Sequence, residues 1–61
     1  VTVGEMIRHI KNKGVLFKKH GKKHDTYYNP QTGDEAQIPR HQTAELKKGT
    51  AERILKDLGL K

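Results

Sequence analysis

The segment "KKHGKKHDTYYNPQTG", Lys18 to Gly33, sets two histidines, His20 and His24, on either side of a glycine and surrounds them with lysines. An imidazole both accepts and donates a proton near neutrality, because its unperturbed pKa is about 6.5. Cations around such a ring favour the neutral form, the form able to act as a base. A metal centre built from His20, His24 and His41 suits the pattern poorly. The lysines would repel a divalent ion, and Asp25 is the one obvious carboxylate ligand. No metal or other cofactor is expected. The residue types fit proton transfer on an anion that lysines hold in place.

RNA is the polyanion that carries its own nucleophile, the 2′-hydroxyl beside each phosphate. A group that removes that proton, or protonates the leaving 5′-oxygen, cleaves the chain without metal when cations hold the phosphate. His24, next to Lys22 and Lys23, supplies the acid–base group, and Lys18, Lys19 and Arg40 are expected nearby. His9 falls on the polar side of a helix and reads as a solvated residue. His20 admits either a role at the site or a solvated strand end, and His41, after "IPR", either reaches the same site or caps a turn. Tyr27 and Tyr28 alternate across a strand, so one ring faces the core and the other, taken as Tyr28, is offered to a base. Base stacking contributes about 1–3 kcal/mol per base. Lys47 and Lys48 open a helix where lysines oppose the dipole, a pattern that suits phosphate.

These groups need a scaffold. "TVGEMIRHIKNKG" reads as a helix with Thr2 and Glu5 at capping-box spacing, Val3, Met6, Ile7 and Ile10 on one face, and Gly14 as its stop. Val15–His20, Asp25–Asn29 and Glu35–Ile38 read as three antiparallel strands, the last ended by Pro39. Asn29-Pro30 followed by Gly33 forms the second turn. "KKGTAERILKDLGLK" is a second helix, with Thr50 as the expected N-cap, Ile54, Leu55 and Leu58 as its apolar stripe and Gly59 as its stop. Leu46 and Leu60 pin its ends. The class is α+β, order αβββα, with both helices on one face of the sheet and the other face open. That order is shared with the double-stranded RNA-binding domain, which reads A-form RNA by shape, 2′-hydroxyls and phosphates.

Composition agrees with an anionic partner. The 61 residues, 1–61, make one domain, with 13 Lys+Arg against 7 Asp+Glu and a formal charge of +6. Cysteine is absent, which excludes disulfides and zinc fingers. No apolar run approaches the roughly 18 residues of a membrane span, and no charged-then-apolar leader opens the chain. A soluble cytoplasmic domain is expected, with a methionine and a few residues before Val1 in the native chain.

Taken together, "GEMIRHIKNKG", "GKKHDTYYNP", "IPRH" and "ELKKGTAERILKDLGL" resemble the HicA toxin family of bacterial type II toxin–antitoxin systems, over nearly the whole chain and in order. The resemblance implies a fold similar to the double-stranded RNA-binding domain and an mRNA interferase activity. It also implies one essential histidine after a glycine-led loop, a position that falls on His24. Here Lys22 and Lys23 replace the small residues usual before that histidine. The implied partners are messenger RNA and a HicB-type antitoxin that covers His24. Water, His41 or Tyr28, in that order, is the second proton carrier. The alternative is a non-catalytic double-stranded RNA-binding module or translational regulator of the same fold. A third reading is a protein-binding domain whose basic face meets an acidic partner.

Overall fold

The computed structural model describes residues 1–61, in the order α1 (Val3–Asn12), β1 (Leu16–His20), β2 (His24–Tyr28), β3 (Glu35–Pro39) and α2 (Lys48–Asp57). The architecture is the αβββα one that the hydrophobic spacing predicts. Helix α1 starts at the expected capping box. The Glu5 backbone N–H donates to the Thr2 hydroxyl at 3.2 Å, and the Thr2 N–H donates to the Glu5 carboxylate at 2.9 Å. Its next two amides, of Val3 and Gly4, donate to the carbonyls of Ala44 and Gln42. The segment leading to α2 thus runs beside the start of α1 and leaves its first turn satisfied.

The strands form one antiparallel sheet in the order β1-β2-β3. Cross-strand partners share a face, so the register sorts the side chains. Phe17, Tyr27 and Ala36 make one row, and His20, Asp25 and Ile38 the next, on the first face. Lys19, Thr26 and Gln37, then Leu16, Tyr28 and Glu35, with His24 and Pro39 at the end, occupy the second. A bulge at Lys18 interrupts the pairing of β1.

The first face carries the core. Tyr27, Ala36 and Ile38 are buried with Val3, Met6 and Ile10 of α1, Ala51 and Ile54 of α2, and Val15, Leu46 and Leu58. This single cluster forms because both helices place a stripe of apolar residues at helical spacing against the same side of the sheet. Coverage stops at β2. All five residues of β1 are exposed, and Leu16 and Phe17 leave much of their surface in solvent.

Each strand differs by a residue from the sequence reading, running Leu16–His20, His24–Tyr28 and Glu35–Pro39, and two differences bear on the site. Asn29 is not a strand residue: it is buried, its side-chain amide donates to the Leu58 carbonyl at 2.8 Å, and its Oδ1 accepts from the Gln31 N–H. It therefore joins the β2–β3 turn to the end of α2. Thr50 is not the N-cap of α2. Leu46 is buried and its N–H donates to the Val1 carbonyl, which fixes the chain's entry, and the helix begins at Lys48 with Lys47 at the cap and no side-chain cap bond. Thr50 becomes a wall residue instead.

Candidate active site

The β1–β2 hairpin holds His24. Its tip is the short segment Gly21–Lys23, closed by the Gly21 N–H donating to the His24 carbonyl at 2.8 Å. That approach leaves no room for a side chain at position 21, because a β-carbon there would collide with the same carbonyl oxygen. The glycine of the basic loop is thus a packing requirement. It sets the backbone from which His24, the first residue of β2, projects on the open face.

The His24 ring is exposed and makes no side-chain hydrogen bond within the chain. It stands between two depressions. The larger is an open cleft of about 580 Å³ whose floor is the row Lys19, Thr26 and Gln37, with Glu35 at one end and Pro39 beside His24. Helix α2 forms its wall through Thr50, Arg53 and Asp57, spaced so that all three lie along one side of the helix. The smaller, about 260 Å³, is bounded by Gly21, Lys22, Lys23, His24 and Gln37. Lys19 and Arg53 on one side, and Lys22 and Lys23 on the other, form no ion pair within the chain. An imidazole between four unpaired cations has the chemistry to hold a phosphodiester and to move a proton.

The other expected residues divide. Lys18 pairs with Glu35, which keeps its ammonium at the cleft's rim but engaged. Tyr28 is half-buried on the open face between Leu16 and Glu35, while Tyr27 is buried on the core face. Lys47 and Lys48 lie at the start of α2, whose first turn has neither a side-chain cap nor an acidic residue. Arg40 lines neither depression. Its Nε donates to Asp25 Oδ1 at 2.9 Å, and the His20 Nδ1 lies 2.9 Å from the same oxygen. Asp25 is on the face opposite His24, so this cluster occupies the other side of the hairpin. His20 first, then burial and Arg40 in opposite senses, leave the Asp25 carboxyl below its usual range. His41 is exposed and lines neither depression; its carbonyl accepts from the Ala44 N–H.

Arg53 and Thr50 escaped the sequence reading. Nothing in "TAERILKD" separates Arg53 from an ordinary solvated helix residue. The signal available was its spacing, one turn after Thr50 and one before Asp57 on a polar stripe flanking Ile54.

The family described as "HicA toxin of bacterial toxin-antitoxin" matches residues 3–60. The chain belongs to the HicA toxin family. Its match spans both helices and the whole sheet, so the hairpin with His24 and the α2 wall both lie inside it. Searches among curated proteins and among solved structures found no match. The protein is therefore a toxin-family member of a toxin–antitoxin system, and no helix in it is long and apolar enough to cross a membrane.

Proposed function

We propose that this HicA-family protein is an endoribonuclease, an mRNA interferase that cleaves RNA by metal-independent acid–base chemistry at His24. The observation that carries the proposal is the exposed, unengaged His24 ring between Lys19 and Arg53 on one side and Lys22 and Lys23 on the other. The cations hold the scissile phosphate. The neutral imidazole takes the proton of the 2′-hydroxyl, the 2′-oxygen attacks phosphorus, and the bond to the 5′-oxygen breaks. The products are a 2′,3′-cyclic phosphate and a 5′-hydroxyl. Water delivers the proton to the leaving oxygen, since the cleft is open to solvent. Neither His41 nor Tyr28 lines either depression, so water takes this role ahead of both. Lys18, Lys47 and Lys48 extend the basic surface along the strand, and Tyr28 offers its ring to a base. A HicB-type antitoxin neutralises the toxin by covering His24.

The test is direct. Purified protein incubated with single-stranded and structured RNA should release fragments ending in a cyclic phosphate, with EDTA present or absent. His24→Ala should abolish cleavage while low-salt RNA binding persists. Cleavage that survives the substitution, or that requires a divalent ion, removes the mechanism; binding without cleavage by the wild-type chain leaves a non-catalytic RNA-binding module.

A further inference from the structure

The far side of the hairpin from His24 carries a group of side chains that the proposed chemistry does not use. Phe17 is 42% exposed although it is a large apolar residue. Its ring is fixed edge-on by Tyr27, with centroids 5.6 Å apart at 78°, and the His20 ring lies 4.8 Å away, tilted by 56°. His20 is fixed in turn by Asp25, and Asp25 also fixes Arg40, with both bonds at 2.9 Å. The Asp25 side chain is only 15% exposed, while that of His20 is 71% exposed. The result is an aromatic ring, an imidazole and a guanidinium, each held in place from below and open above.

We infer that Phe17, His20 and Arg40 form a nucleotide subsite for single-stranded RNA, in which an unpaired base stacks on the Phe17 ring with the tilted His20 ring against its edge and Arg40 bonds a neighbouring phosphate. The inference deepens the reading of this chain as RNA-directed and rests on it. Aromatic rings, imidazoles and guanidinium planes are the surfaces on which splayed bases stack. Arg40 reaches Asp25 through Nε, which leaves its terminal nitrogens for a ligand. Rings already immobilised by Tyr27 and Asp25 lose little further freedom when a base lands on them.

Charge favours RNA over a polypeptide as the occupant. Lys22 and Lys23 sit at the hairpin tip between this patch and His24, and a strand crossing the tip would place successive phosphates on them. The protein would then grip nucleotides on both sides of the bond cut at His24. Leu16, exposed on the opposite face beside Tyr28, takes no part in the subsite.

The test reads binding, not cleavage, in a His24→Ala background. Fluorescently labelled single-stranded RNA of about a dozen nucleotides is titrated, together with versions in which one base at a time is removed to leave an abasic ribose. Phe17→Ala should weaken binding roughly tenfold to hundredfold, the scale of one lost stack, without changing the slope of affinity against salt. Phe17→Tyr should retain affinity, and Phe17→Leu, which keeps bulk but not the π face, should lose as much as Phe17→Ala. One abasic position should reproduce the loss and abolish the further effect of Phe17→Ala. Affinity unchanged in Phe17→Ala, full affinity in Phe17→Leu, or an abasic series with no weak member each overturns the subsite, the last without needing any Phe17 variant to fold. In those cases the exposed ring serves a protein contact. Failure of the wild-type chain to cleave RNA overturns the His24 mechanism instead, and failure to bind RNA at all overturns the reading on which both depend.

Discussion

Arg53 is the residue whose position most changes the reading of the site. It stands on the α2 wall of the cleft, unpaired, across from a floor that includes Lys19. If it holds the scissile phosphate, Arg53→Ala should lower kcat/KM for RNA by on the order of tenfold or more. Arg53→Lys should recover only part of that, because an ammonium lacks the planar fork that grips two phosphate oxygens. The same substitution should reduce the salt dependence of single-strand binding by roughly 0.7 in log–log slope, the signature of one lost phosphate contact. Lys18→Ala should do less, since Glu35 already engages that ammonium. Steady-state cleavage and a salt titration of the two variants measure both differences. Equal losses at positions 18 and 53 would contradict the geometry of the cleft.

At the scale of elements, two short turns decide where the side chains point. The β1–β2 tip depends on Gly21, and Gly21→Ala should destabilise the protein by about 1–3 kcal/mol and lower cleavage more than RNA binding, because the displaced backbone belongs to His24. The β2–β3 turn is tied to α2 by Asn29. Asn29→Ala should cost about 1–3 kcal/mol, the penalty for leaving the buried Leu58 carbonyl without its donor. Thermal unfolding measures both. Asn29→Asp should not rescue the turn, since an ionised carboxylate cannot donate to that carbonyl. The exposed strand β1 is protected from edge-to-edge pairing by its bulge and by Lys18 and Lys19.

At the scale of the whole molecule, a small core and a large positive charge meet. Glu5 is held below the usual carboxylate range by the Thr2 backbone N–H and hydroxyl, and Asp25 by His20 and Arg40. A carboxyl depressed in the folded state contributes stability that is complete above its unfolded pKa, near 4, and is lost as pH falls through the lower folded value. The melting temperature should therefore drop as pH falls below about 4. The drop should be shallower in Asp25→Asn, which has no such carboxyl to protonate. A pH series of unfolding curves for the wild-type chain and Asp25→Asn checks the acid limb.

The sequence by itself determined the order of elements, the capping box of α1, the core stripes and the charge. Each of these depends on spacing within a single element or on composition, and both are written along the chain. It also singled out His24 through the basic, glycine-led loop. Only the tertiary structure decided which cations join that histidine. The one-residue alternation of strands sends His24 and Asp25 to opposite faces, Asp25 draws Arg40 away with it, and the packing of Ile54 and Leu58 carries Arg53 to the cleft's wall. Neighbours in space across a sheet and a helix are set by register and packing angle, and no local pattern of residues encodes either.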